Sequence, residues 1–321
     1  MEIIKYRYGD DTREYNKIAS HGTAIALGLF DGVHIGHRRL ICEAVRMAKE
    51  RGLLSGVFTF STEDGIKAAS PRIYSTKQKL ALISELGVDF AIVCDFSSIK
   101  ELSATDFIEE VLTKAFNCQV ALSGYNFRFG RGAVGNAEML KATFQALGRE
   151  AFILDEQRYD GLTLSSTEIR AALAQGDTER ASRMLGLPYF IEGEVERGLG
   201  LGHKFGFPTI NNELPEGCPL QTGVYIVVVP IGENLYTGLC NVGICPTFGE
   251  RAIHAETMLL DFEGDLYGKR LVTYFISYLR AEKVFPSGEE LKAQIDRDAK
   301  RAAEIDKKKY IEMITHKEKI K

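Results

Sequence analysis

Gly28-Leu29-Phe30-Asp31-Gly32-Val33-His34-Ile35-Gly36-His37 lies between an apolar run, Thr23–Leu27, and an amphipathic run, Arg38–Arg51. The first run reads as a strand. The second reads as a helix with Leu40, Ile41, Ala44, Val45 and Ala48 on one face. The two imidazoles therefore fall where a strand hands over to a helix N-terminus. That place is electropositive, because free backbone N–H groups and the helix dipole both point outward. Glycines there let backbone approach a ligand closely. Two histidines beside an anion site suit a negative charge developing on a phosphate. Zinc fits less well: no third His, Cys or carboxylate stands at ligand spacing, and Gly36 disfavours a continuous helical pair.

Outward from this stretch, strand and helix patterns alternate. Strands are expected at 53–60, 88–94, 120–123 and 152–154, and helices at 75–86, 104–116, 137–147 and 167–174. Repeated β-α units imply a parallel sheet covered on both faces. Ligands of such sheets bind beyond the carboxyl ends of the strands, where the histidines lie. After about Leu187 the pattern changes to successive strands at 190–196, 224–229, 236–242, 255–260 and 271–278, punctuated by Gly, Pro and Asn. That reads as an antiparallel sheet or small barrel. One long helix, 289–314, is expected to close the chain. Leu185-Gly186-Leu187-Pro188 is the expected hinge, dividing the chain into domains 1–186 and 187–321.

The 321 residues suffice for two cored domains. A net charge of -4 argues against a nucleic-acid partner. Six scattered cysteines without CxxC pairs fit reduced thiols in a cytosolic protein. No long apolar span or leader-like N-terminus is visible, so the expectation is a cytoplasmic protein with no membrane partner. Oligomeric state is not assigned.

Three further stretches carry chemistry. Leu164-Ser165-Ser166-Thr167-Glu168-Ile169-Arg170 has Ser165 and Glu168 at capping-box spacing before an apolar helix. Its hydroxyls, its free N–H groups and Arg170 one turn in would also cradle an anion. Gly124-Tyr125-Asn126-Phe127-Arg128-Phe129-Gly130 follows a strand. The glycine-dense 193–211, with Gly198, Gly202 and Gly206, ends in Pro208-Thr209-Ile210-Asn211. Pro208 prevents the helix that a dinucleotide turn must feed, so a phosphate flap ending in a fixed turn fits better. Thr209 and Asn211 share parity on an extended segment and point into one site, and their oxygens suit Mg2+.

The first stretch resembles the HxGH signature of the nucleotidylyl-transferase superfamily, and 164–170 and 124–130 are similar to the SSTxIR and GxNFRFG motifs of FMN adenylyltransferases. The resemblance implies that His34 and His37 stabilise the transferring α-phosphate and the pyrophosphate leaving group. Ser165, Ser166, Thr167 and Arg170 would hold the outer phosphates. Gly28, Phe30, Asp31 and Gly32 would shape the ATP pocket, and Asn126 and Arg128 would meet nucleotide or flavin. One departure stands out. Where these enzymes carry Pro-His-Pro after the second strand, this chain has Ser61-Thr62-Glu63-Asp64.

The second half resembles riboflavin kinases through 206–211, Gly223-Val224-Tyr225, 241–248, Glu256-Thr257 and 280–285. This implies Mg2+ and ATP phosphates at Thr209 and Asn211, and Glu256 as general base on the ribityl 5′-hydroxyl. It also implies Arg280 near flavin or phosphate. Nearly the whole chain is thus similar to the bacterial bifunctional riboflavin kinase/FAD synthetase family. The implied fold is a Rossmann-like α/β domain followed by an antiparallel β-barrel with a terminal helix. The implied small-molecule partners are riboflavin, FMN, FAD and ATP, with Mg2+ as cofactor. The altered 61–64 loop keeps open an alternative, a kinase whose first domain no longer adenylylates.

Overall fold

A computed structural model describes residues 1–61, 71–159, 161–195, 209–214, 218–244 and 253–315. The chain divides into two compact units, one spanning Met1–Ser166 and a second beginning at Thr167.

The first unit is built on β1 (Glu2–Tyr6), β2 (Thr23–Leu27), β3 (Leu54–Phe60), β4 (Phe90–Cys94), β5 (Cys118–Gly124) and β6 (Glu150–Leu154). They lie in the order β1-β4-β3-β2-β5-β6, and every pairing is parallel. All five residues of β2 are buried, as a central strand covered on both faces requires. From β2 the chain steps through β3 to β4 on one side, and β5 then lies on the other. The reversal between β2 and β5 is the switch point where such sheets bind ligands. Helices α1 (Ile35–Arg51), α2 (Thr76–Ser84) and α3 (Ala137–Ala146) accompany the sheet. The core gathers Ile25, Phe58, Phe90, Val111, Leu112 and Phe116.

Two features differ from the sequence pattern. β1 escaped notice because only Ile4 and Tyr6 of this edge strand are buried. The helix expected at 104–116 is one α-turn, Ala104–Asp106, followed by a π-helix, Phe107–Ala115. Its buried residues Phe107/Ile108, Val111/Leu112 and Ala115 recur every four positions, a spacing longer than 3.6 that the wider coil accommodates.

The second unit contains α4 (Ser166–Ala174, its first residue at the boundary) and α5 (Thr178–Leu185). Six strands follow: β7 (Phe190–Glu194), β8 (Thr209–Glu213), β9 (Gly223–Ile231), β10 (Asn234–Ile244), β11 (Ile253–Leu259) and β12 (Arg270–Arg280). They form an antiparallel sheet in the order β7-β12-β9-β10-β11-β8. The two outermost strands meet where Asn212 Nδ2 donates to the Glu194 carbonyl at 3.3 Å. A Cβ at Gly193 would collide with that amide, so this hydrogen bond in its present geometry depends on glycine there. The interior holds Val195, Ile210, Val229, Leu259 and Leu266.

On the outer face, Ile226, Leu239 and Met258 pack against α6 (Gly288–Ala303) through Ile295, Ala299 and Ala302. The single helix expected at 289–314 is two, because α6 stops before Glu304 and α7 (Lys307–Thr315) restarts. Ile305 turns toward the barrel cluster, and Asp306 accepts from the Lys308 N–H at 3.0 Å, beginning the new helix.

Candidate active sites

In the first unit, His34 is the N-cap of α1, and its Nδ1 accepts from the His37 backbone N–H at 3.3 Å. A neutral His34 ring therefore carries its proton on Nε2, aimed away from the helix. The two rings stack with centroids 3.5 Å apart and planes 19° from parallel. Burial pushes the His34 imidazole down to about 4. It pushes His37 well below the ordinary range, helped by the charges of His34 and Lys79. Near neutrality both rings are uncharged N–H donors, not cations. The buried His37 Nδ1 has no partner among the described residues, as expected of a group reserved for a ligand.

The Leu29–Val33 connection is wound tightly. Phe30 and Val33 take φ of 52° and 42°, and Gly32 takes 82°. Non-glycine residues rarely adopt such values unless surroundings enforce them. Asp31, 4% exposed, accepts from the Ile73 N–H at 3.0 Å, and the Ser166 hydroxyl donates to the Asp31 carbonyl at 2.8 Å. The Phe30 ring meets His37 edge-on at 5.3 Å. The structure thus brings Phe30, Asp31, Gly32, His34, His37 and Ser166 together, with Ser165 directly before. Thr167 and Arg170 fall in the second unit, where Arg170 donates to the Thr167 hydroxyl at 3.3 Å. Glu168 accepts from Arg180 at 2.5 Å.

Beside this loop, across the switch point, a cavity of ≈ 350 Å³ opens between the ends of β3 and β5. Phe58, Phe60, Phe107, Phe127 and Phe129 line it, with Gly28 at its wall and Lys100 and Arg128 among its polar groups. Phe127 and Phe129 stack at 5.4 Å, and Phe107 lies 5.5 Å from Phe129. Gly130, at φ 73°, presses backbone onto Ala104, where a Cβ would come within 2.7 Å of main-chain atoms. Asn126 is exposed on the same loop. Sequence reading had not placed Phe58, Phe60, Phe107 or Lys100 at a site. The missing signal was phenylalanines ending strands, which look like ordinary core. Glu63 and Asp64 lie outside the described residues.

In the second unit the strand register aligns one row of residues. Asn211 of β8 opposes Glu256 of β11, Glu256 opposes Asn241 of β10, Asn241 opposes Val224 of β9, and Val224 opposes Arg280 of β12. Residues opposed in register share a face, here the outer face that carries Met258 and α6. Burial raises the Glu256 carboxyl above its usual 4.5. Asn241 Nδ2 donates to Glu282 at 3.0 Å, and the buried Asn211 Nδ2 has no partner among the described residues. Thr209 occupies the same face of β8 two residues away; its side chain, like Gly198, Gly202 and Gly206, lies outside the described residues.

Arg280 Nε donates to Asp298 of α6 at 2.8 Å, with side chains 16% and 3% exposed. Its guanidinium lies 5.8 Å from the Phe285 ring. Asp298 also accepts from Gln294 at 2.8 Å. Breaking a buried pair leaves one charge uncompensated, so Asp298→Ala should lower unfolding free energy by about 3–5 kcal/mol. A denaturant titration followed through the second unit would read this. A loss below about 1 kcal/mol, the surface-pair range, would contradict it.

Comparison with known proteins assigns a family to each half of the chain. A family model described as FAD synthetase matches residues 16–168, and one described as riboflavin kinase matches 185–305. The bifunctional riboflavin kinase/FMN adenylyltransferase of Pseudomonas fluorescens is 34% identical over 86% of this chain and 91% of its own. That of Bacillus subtilis is 33% identical over 87% and 91%. A Streptococcus pneumoniae crystal structure titled macrolide-efflux protein is 26% identical, covers 95% of this chain and 100% of its own, and superposes with a TM-score of 0.82.

Fold, sites and comparisons define a two-domain nucleotide-using transferase. The chain belongs to the bifunctional riboflavin kinase/FMN adenylyltransferase family.

Proposed function

We propose that residues 187–321 phosphorylate riboflavin to FMN and residues 1–186 adenylylate FMN to FAD, each with ATP. The supporting observation is a distinct group of donors and acceptors on each of two separate folds. One is a neutral imidazole pair beside a phenylalanine-lined cavity. The other is a desolvated carboxylate flanked by asparagines.

In the kinase reaction Glu256 accepts the proton of the ribityl 5′-hydroxyl as that oxygen attacks the γ-phosphorus and ADP departs. The side-chain oxygens of Asn211 and Thr209 would suit a hard divalent ion near Glu256, which Asn211 opposes in register. Mg2+ bound by them would neutralise charge on the phosphates. Arg280 stands three strand spacings from Glu256, roughly 14 Å along the row. That distance suits the flavin end of the substrate rather than its reacting hydroxyl. The glycines at 198, 202 and 206 are assigned to the phosphate flap.

In the adenylyl transfer an FMN phosphate oxygen attacks the α-phosphorus of ATP, and pyrophosphate leaves. No general base is needed, since the nucleophile is already anionic. His34 and His37 donate N–H bonds to the charge that develops. Ser165, Ser166, Thr167 and Arg170 hold the outer phosphates. Asn126 and Arg128 bind the flavin nucleotide, whose flat ring system suits the aromatic cavity. Among the described residues no helix is long and apolar enough to cross a membrane.

Product chromatography tests this reading. Purified protein with riboflavin, ATP and Mg2+ should yield FMN first, then FAD with pyrophosphate. FMN without FAD would instead favour the kinase-only alternative that the 61–64 substitution raises.

A further inference from the structure

Lys79 of α2 is 1% exposed, yet no site described above uses it. Its Nζ donates to the Leu29 carbonyl at 3.1 Å, to the Thr59 hydroxyl at 3.0 Å and to the Phe60 carbonyl at 2.7 Å. Three N–H groups meet three acceptors, and Thr59 closes the set by donating to Leu29 at 2.9 Å. None of the three acceptors is a carboxylate. A buried ammonium without a directly bonded counter-ion is costly. Hydrophobic packing alone would be served by leucine or methionine.

The acceptors sit at informative places. Leu29 immediately precedes Phe30, whose left-handed backbone presents its ring to His37. Phe60 ends β3 and forms part of the cavity wall. One ammonium therefore ties the nucleotide loop to the flavin cavity. The capping box of Ser75 and Gln78 fixes the start of the helix that carries it. Strained loops persist only where neighbours over-determine them, and Lys79 supplies that constraint at Leu29.

We infer that Lys79 is a positioning residue for adenylyl transfer: its charged amine clamps the ends of β2 and β3 so that His37 and the cavity keep a common geometry. It does not reach substrate.

Among the described residues, the charged and titratable groups that act on Lys79 are Asp31, which favours its charge, and Arg72, which opposes it. His37 feels the lysine in return. Burial brings the amine down to about 8, so the clamp releases in mild alkali. A neutral amine has two donors for three acceptors. The linkage has the opposite sign from the activity. The folded amine deprotonates more readily than the unfolded one, so this group's contribution to stability rises with pH between about 8 and the ordinary 10.5. An alkaline loss of FAD formation through Lys79 would thus come without unfolding.

The inference rests on assigning adenylyl transfer to the first unit, which FAD formation by the parent chain checks separately. The experiment uses the full chain with Mg2+, ATP and either FMN or riboflavin, following initial rates from neutral to alkaline pH. The parent should lose FAD formation around pH 8, while phosphorylation of riboflavin by the same molecules shows no matching loss. Lys79→Arg, which stays charged, should move that limb to higher pH. Lys79→Met should be slower by about 10- to 100-fold in kcat at neutral pH, the range a small misplacement produces, and should lack the limb. A thermal melt of each variant establishes folding, and Lys79→Arg alone decides the matter if Lys79→Met is unfolded. A parent without the limb, an Arg variant whose limb stays at the parent's pH, or a folded Met variant with the parent's rate would each overturn the inference.

Discussion

His37→Ala should lower FAD formation from FMN by about 10²–10³-fold, the cost of removing one preorganised donor at a developing charge (about 2.7–4 kcal/mol). Formation of FMN from riboflavin should not change. The magnitude follows from the ring's state. His37 is half-buried with its Nδ1 enclosed, and desolvation holds the ring neutral, so its donated N–H acts in a partly desolvated setting where a dipole counts for more than in water. The loss should appear in kcat more than in KM for FMN, since the charge it meets is greatest in the transition state. His34 is a less clean target because its Nδ1 also caps α1. Replacing it would remove about 1 kcal/mol of helix stability along with any catalysis. Initial rates of both reactions on one preparation, with a thermal melt, check the prediction. An undiminished FAD rate in a folded His37→Ala chain would contradict the imidazole assignment.

The second large effect belongs to the other unit. Glu256→Gln should cut riboflavin phosphorylation by about 10²–10⁴-fold, the usual contribution of a positioned base, and leave FAD formation from supplied FMN intact. Burial raises the Glu256 carboxyl above 4.5. The base works only when ionised, so the acid limb of the kinase rate should lie above the ordinary carboxylate range and disappear in the variant. The native state keeps this proton to higher pH than the unfolded chain does. The stability associated with the protonated form is present below the unfolded value and lost as pH rises through the folded one. Near neutrality the ionised carboxylate therefore weighs against folding, and Glu256→Gln should melt no lower than the parent. Melting curves beside pH–rate profiles separate this reading from a surface carboxylate, whose removal would change neither rate nor limb.

Periodicity served well wherever an element has one clearly buried face. β2 appears at Thr23–Leu27 as read, and the alternation of strand and helix in the first unit follows the apolar pattern closely. It failed where burial is partial, as at β1, or where the coil departs from 3.6 residues per turn, as at Phe107–Ala115. The break at Glu304–Asp306 was hidden because residues on both sides keep helical propensity. Only the turn of Ile305 toward the barrel, beside the Asp306 cap, divides the pattern.

Site residues on tight loops were legible from their glycines and histidines. Those contributed by packing were not. Phe60 and Phe107 look like core, and Lys79 looks like one more charge on an amphipathic helix until its three acceptors are known. The outer row of the barrel was half visible. Thr209 and Asn211 share parity in the sequence, but their register against Glu256 is a pairing property that no local pattern contains.

Asn211 and Asn212 are adjacent and identical in type, yet they do unrelated work on opposite faces of β8. A slip of β8 by one residue would bring Asn212 opposite Glu256 in one direction, or Asn211 to the seam in the other. At that one position the error would be chemically silent. What makes it intolerable is Ile210, 1% exposed in the barrel interior, which the same slip would turn outward while drawing polar neighbours in. One isoleucine thus acts as the proofreader of a strand in which one asparagine can stand in for its neighbour.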